Sequence, residues 1–480
     1  MKRIIYSLFA GSVLISSCKK DELDPIPQTQ LSDAVAFSTP ARVLQQVNGM
    51  YAAVKTGAFY AGRYQNYQDI RGEEFINQTN NGVTNFQTWN FTVTPTTNEV
   101  QNFWSAAYAA INRANVVMEG IAGSPIDDAL KANYIAEGKF LRALSYYSLL
   151  QLYAKPYTDG NGNNPGVPLR LKAETSSGSN NLARSSVAEI YDQILKDLNE
   201  AETAIPANYS SADLNTTRAH KNSVIALKTR VYLSMGRYAD VITEGNKLVP
   251  NSAPYNAPSG VANGLNATIA SVFASPYNSK ESIFSFPYQP LDVPGTQNSL
   301  NSYYNPDPFG IGDYTLNETG QGIVASTEWG ANDDRRKFNI VTNGKLYLRK
   351  WPNNAGTNPD WVPVIRYSEV MLNLAEGLAR QAADVDARAL ALLNAVRQRS
   401  DATATITAAS KQELIDKILL ERRIELLGEG FRTSDVTRTG ASFGAKSTIS
   451  AVPPSNTIYI WPISNAEMVT NKEMAQNPGY

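Results

Sequence analysis

One cysteine and one histidine in 480 residues exclude several chemistries at the outset. Cys18 has no second cysteine to pair with, so the chain can form no internal disulfide. His220 alone cannot build a multi-histidine metal centre, and catalysis would have to rest on carboxylates, lysine, tyrosine or Ser/Thr. Its setting, Arg218-Ala219-His220-Lys221, reads as a surface position at a helix start. An excess of one charge sign is also missing. With 43 basic and 44 acidic residues the formal net charge is -1, unlike the basic balance of a nucleic-acid binder. The apolar run from Ile4 to Ile15 is too short to span a bilayer, which takes roughly 20 residues. At roughly 150 residues per domain, the chain has room for about three domains or for one extended helical-repeat scaffold.

The N-terminus carries the most specific local signal. Met1-Lys2-Arg3 followed by that apolar run reads as a signal peptide over residues 1–17. Leu14-Ile15-Ser16-Ser17-Cys18 resembles a bacterial lipobox, in which small residues precede a cysteine that is acylated and becomes the new terminus; Ile15 stands where Leu is commoner. Cut there, the chain loses Lys2 and Arg3 and carries -3. Lys19-Lys20-Asp21-Glu22 resembles the charged signal that sends some lipoproteins to the outer face of the outer membrane. Several acyl chains on Cys18 would anchor stably where one is marginal. Residues 18–37, with Pro25 and Pro27, then read as a polar, extended, lipidated tether.

Beyond the tether, apolar residues recur at the 3–4 spacing of amphipathic helices. The pattern predicts helices over residues 98–121, 127–153, 186–205, 218–235, 238–248, 367–380, 385–399 and 410–427, the third opened by a capping box from Ser186 to Glu189. Paired helices joined by short breaks such as Gly236 resemble tetratricopeptide units. Between Pro250 and Pro363 the helical period vanishes. Pro, Gly, Asn and Ser dominate there, but a series of aromatics from Tyr277 to Trp361 argues for an ordered, loop-rich insertion, with short strands at 282–287 and 345–350. The expected architecture is mainly α: an N-terminal helical part (38–250), the insertion (251–364) and a C-terminal helical part (365–480).

Several segments, taken in order, resemble the SusD/RagB family. Trp104-Ser-Ala-Ala-Tyr108 with Ile111-Asn112-Arg113-Ala114-Asn115 is similar to its W-x3-Y-x2-I-x-R-A-N helix. Glu137-Gly-Lys-Phe140-Leu141-Arg142-Ala143 resembles A-E-A-R-F-L-R-A, and Arg184-Ser185-Ser186-Val187 matches R-S-S-V. Arg366-Tyr367-Ser368-Glu369, Glu421-Arg422-Arg423-Ile424-Glu425 and the terminal Gln476-Asn477-Pro478-Gly479-Tyr480 continue the series over nearly the whole chain. Thr433 to Thr437 departs from the usual W-x-D-L, which puts local packing there in question.

The resemblance implies a non-enzymatic surface lipoprotein that captures a nutrient, read as a glycan, and closes as a lid over a SusC-like TonB-dependent transporter. The alternative within the same architecture is a peptide receptor of the RagB kind. Sugar binding calls for flat aromatic surfaces beside amide, carboxylate and guanidinium groups. Two segments supply both: Tyr64, Asp69, Arg71, Trp89 and Asn90 in the first, Tyr303, Tyr304 and Trp329 in the second. Trp89 and Trp329 lie in polar loops and are expected to be exposed, whereas Trp104, Trp351, Trp361 and Trp461 read as structural. A glycosidase would need two carboxylates across a cleft. Glu73, Glu74, Asp333 and Asp334 read instead as solvated charge, and Glu421 and Glu425 as partners of neighbouring arginines. Asp159 to Asn163 falls short of a calcium loop, since Arg170 stands where a bidentate Glu is needed. No cofactor is expected, and a structural calcium elsewhere is left open.

Overall fold

Helical period in the sequence becomes helix almost residue for residue. In the computed structural model, which describes residues 33–176, 178, 180–353 and 359–480, the long helices are α1 (Pro40–Val54), α2 (Arg63–Ile70), α3 (Asn98–Ala122), α4 (Asp128–Tyr153), α5 (Val187–Ala204), α6 (Lys221–Ser234), α7 (Tyr238–Leu248), α8 (Tyr367–Gln381), α9 (Ala387–Ser400), α10 (Lys411–Glu425) and α11 (Arg432–Arg438). The signal peptide, Cys18 and the tether as far as Ser32 lie outside the described residues. Side chains set several boundaries. Asp127 accepts from the backbone of Leu130 to open α4, and the capping box of Ser186 and Glu189 opens α5 with both of its hydrogen bonds made. The helix α2 has no amphipathic signature because every residue after Arg63 is buried, so periodicity could not reveal it.

The helices stack in sequence: α3 on α4, α4 on α5, α6 on α7. The stack then continues across the insertion, because α7 packs directly on α8 and α8 on α9 and α10. Glycine makes the α7–α8 approach possible. A Cβ on Gly245 would stand 3.1 Å from Leu374, and one on Gly377 3.1 Å from Val241. The insertion therefore leaves and rejoins a continuous helical scaffold. Its return is marked by an antiparallel pair, β2 (Ser282–Phe286) with β6 (Val362–Arg366), and Tyr367 begins α8 at once. One apolar core runs through both helical parts and under the insertion.

His220 departs from the expectation of a surface residue. It is fully buried at the N-cap of α6, where Nε2 lies 3.1 Å from the Ile283 carbonyl of β2 and burial pushes the imidazole pKa down to about 4.

The charged residues that looked like solvated pairs are also internal. Glu73 and Glu74 are buried and bound by Arg423 and Arg432, whose side chains reach from α10 and α11. Asp333 is buried against Arg335, and only Asp334, paired with Lys337, lies nearer the surface. A larger assembly surrounds the end of α10: five cations (Arg335, Lys350, Arg366, Arg397, Arg399) interlock with five carboxylates (Glu281, Asp333, Glu421, Glu425, Glu429). It joins the insertion to the C-terminal helices with equal numbers of each charge, the condition under which buried ions are tolerated. In α11, where the family pattern lapses, Asp435 takes up Arg422 and Arg438, so local packing is secured by ion pairs.

Candidate ligand-binding site

Two further strand pairs involve the insertion. β1 (Phe75–Asn77) pairs with β3 (Tyr314–Leu316), matching Phe75 to Leu316, and β4 (Asn339–Thr342) pairs with β5 (Lys345–Leu348). The first pairing brings the two segments singled out in the sequence together, and the Tyr314 hydroxyl bonds the Thr84 carbonyl at 2.7 Å to close the join. Their aromatics face inward. Trp89 is 5% exposed and Trp329 2%, which corrects the expectation that these rings stand in solvent. Trp89 donates its indole N–H to the Phe75 carbonyl (2.8 Å), and its loop is held from below by Thr88, which donates twice to the buried Glu99. The polar groups around Trp89 thus face inward, Thr88 bonded to Glu99, rather than out into solvent. Trp329 lies under Arg336, whose guanidinium sits 4.5 Å from the ring centre.

The other residues singled out are framework too. Tyr64 stacks on Phe103, and Tyr304 stacks between Phe75 and Trp351. Tyr303 is buried with its hydroxyl on the Gln297 carbonyl. Asp69 accepts from the backbone N–H groups of Gly430, Phe431 and Arg432, fixing the start of α11, and burial pushes its carboxyl up to about 7. Arg71 is packed over Phe91 and Phe443 and donates to the Tyr459 carbonyl at 2.6 Å. Asn90 alone stays half-buried, at the end of the Phe86–Trp89 turn.

The aromatic surface that partly reaches solvent lies on the insertion. Of the six tryptophans, Trp361 is the one that is not buried, and it stacks on the half-buried Tyr277 with ring centres 5.7 Å apart and planes 29° from parallel. Tyr277 holds φ at +63°, in the left-handed region that a bulky side chain rarely enters, so its ring is placed against a backbone preference. Its hydroxyl donates to Asp360 Oδ1 (3.0 Å). Asn353 donates to the same carboxyl twice, by its backbone (3.1 Å) and its amide (2.8 Å). Burial pushes the Asp360 carboxyl up to about 7, against these hydrogen bonds and the nearby charge of Arg349. Arg349 lies with its guanidinium 4.1 Å from the ring centre of Phe309, itself 38% exposed, and its Nε has no protein partner among the described residues.

Asn305 anchors this patch to the short helix Leu300–Tyr304 by donating to the Trp351 carbonyl at 2.6 Å. The insertion thus offers two aromatic stations, the Tyr277–Trp361 stack bonded to Asp360 and Phe309 under Arg349, whose charge reaches Asp360. Such an arrangement can stack flat apolar ring faces and hydrogen-bond hydroxyl groups from the half-buried Arg349 guanidinium, while the buried Asp360 carboxyl holds Tyr277 and Asn353 in place. Sequence reasoning set Trp361 aside as structural because prolines flank it. The signal that could have found it was Asp360 beside it and Asn353 upstream, the same polar setting that drew attention to Trp89.

The candidate calcium loop is a plain turn in which Asp159 pairs with Lys155. Among the described residues no group of three or more His, Cys, Asp or Glu is placed to hold a metal ion, and no helix is long and apolar enough to cross a membrane.

A stack of paired helices carrying a loop-built face of aromatic and polar groups defines a helical-scaffold protein whose candidate site lies on its insertion. Comparison with known proteins gives the family. Residues 21–233 match the family model described as starch-binding and associating with the outer membrane, and residues 229–480 match the SusD family model. The chain belongs to the SusD family. It is 25% identical over 517 residues to SusD-like protein P2 of Formosa agariphila, with 96% of each chain covered. The fold matches the crystal structure of a SusD superfamily protein from Bacteroides fragilis with a TM-score of 0.82 and 33% identity, over 91% of this chain and 99% of that one. It also matches surface glycan-binding protein A from Bacteroides thetaiotaomicron, solved in complex with laminarihexaose, with a TM-score of 0.73 and 19% identity over 92% and 100% of the two chains.

Proposed function

We propose that the protein is a glycan-binding surface lipoprotein, anchored through Cys18 on the outer face of the outer membrane, that delivers its ligand to a TonB-dependent barrel without acting on it chemically. The observation that carries this reading is the Tyr277–Trp361 stack beside Asp360 and Arg349. Stacked rings present a flat apolar surface that Asp360 holds in place through Tyr277, and the half-buried Arg349 guanidinium nearby suits the hydroxyls at a sugar's rim. The glycan complex known for a protein of the same fold supports the ligand class. The buried carboxylates Glu73, Glu421 and Glu425 are committed to arginines, which favours binding over hydrolysis.

Calorimetry of the whole chain against a panel that includes laminarihexaose, laminarin and starch is expected to give saturable binding to at least one glycan. Binding to none of them, with binding to mixed peptides instead, would transfer the function to the peptide-receptor alternative. Purification from native membranes under mild detergent is expected to bring a TonB-dependent barrel along with the lipoprotein. Repeated recovery of the lipoprotein alone would remove the transporter from the proposal.

A further inference from the structure

A groove of about 550 Å³ runs along α10, bounded by α11, by Ala441 beyond it and by the loop that carries Glu328. It lies apart from the aromatic face, and no aromatic side chain lines it, so it offers a sugar no ring to stack on. Its floor is aliphatic: Leu419 and Leu420 are half-buried, and Val436 closes the far side.

The charges around it are unevenly spent. Arg423 and Arg432 are neutralised by the buried Glu73 and Glu74, and Lys417 is held by Glu413 at 2.6 Å. Asp435 is occupied by Arg422 and Arg438. Two carboxylates remain. Among the described residues, Asp416 accepts only from the Gln412 amide, and Glu328 is exposed with its carboxylate in no ion pair. An aliphatic floor under two uncompensated negative charges matches one side-chain chemistry, a methylene stem ending in a cation.

We propose that this groove is a second binding site, for a short polypeptide segment bearing lysine or arginine, whose stems would lie on Leu419 and Leu420 while their charged ends meet Asp416 and Glu328. A volume of this size accommodates a few residues, not a folded domain. The site is independent of glycan binding at Tyr277 and Trp361, and the two can be tested separately.

The probe is the tripeptide Lys-Leu-Lys blocked at both ends, titrated into the whole chain by calorimetry, with blocked Glu-Leu-Glu as the charge-reversed control. Saturable binding of the basic peptide is expected, at least about tenfold tighter than the acidic one and weakening as salt rises. The double substitution Asp416→Asn with Glu328→Gln is expected to lower that affinity about tenfold and to leave glycan binding unchanged, since neither residue touches the aromatic face. Equal affinity for the two peptides, undiminished binding in the double variant, displacement of the basic peptide by laminarihexaose, or no saturable heat up to about 10 mM would each overturn the proposal.

Discussion

Glu425→Ala is expected to cost about 3–5 kcal/mol of folding stability, the loss found when one member of a buried ion cluster is removed. Its carboxylate accepts from Arg335, Arg366 and Arg399 at 2.9, 2.8 and 2.5 Å, and none of the four side chains is more than 3% exposed. Removing it leaves three guanidinium groups in the interior with one acceptor fewer each. Burial disfavours its charge, yet Arg399, Arg366 and Arg335 outweigh burial and hold its pKa well below the usual 4.5. A carboxyl whose folded pKa is depressed contributes stability that is full above its unfolded pKa and is lost as pH falls through the folded value. The gap between parent and variant should therefore be widest above about pH 4.5 and narrow in stronger acid. Urea unfolding across pH measures both. A loss below about 1 kcal/mol at neutral pH would show that the cluster does not hold the insertion to the C-terminal helices. The exposed pair Lys337–Asp334 is the internal control, where Lys337→Ala should change nothing measurable.

Trp361→Ala is expected to weaken glycan binding about tenfold while the chain stays folded. A stacking ring contributes about 0.5–1.5 kcal/mol beyond its buried area, and a half-buried tryptophan at the centre of a site commonly contributes more. The variant also frees Tyr277, whose ring rests on Trp361, so its effect should exceed that of Phe309→Ala at the other station. Trp89→Ala and Trp329→Ala make the contrast. Both rings are interior, and their removal is expected to cost about 3–5 kcal/mol of stability through the cavity left behind, with binding falling only as the fold does. Circular dichroism and calorimetry on the three tryptophan variants separate the cases. Undiminished binding in Trp361→Ala, or loss of binding in Trp89→Ala at full stability, would move the site away from the Tyr277–Trp361 face.

The amino-acid sequence by itself determined most of the helical scaffold, though not α1, α2 or α11, because amphipathic period and caps are local properties. The capping box at Ser186 and the breaks at Gly236 and Pro250 are readable within a few residues of where they act, and the helices form where those signals fall. It also settled the family, through motifs spread over nearly the whole length. Tertiary structure alone decided which aromatics reach solvent. Trp89 and Trp361 sit in similar polar surroundings in the sequence. What separates them is distant: Trp89 is covered because β1 pairs with a strand over two hundred residues away and Glu99 ties down its loop, whereas Trp361 leaves the core just before β6 and stacks on Tyr277, more than eighty residues earlier. The carboxylates divide for the same reason. Whether Glu73 or Glu425 is solvated or interior depends on arginines from distant elements, α10 and α11 for Glu73, and the insertion, β6 and α9 for Glu425. Burial is a property of long-range packing, and no local pattern of polar neighbours encodes it.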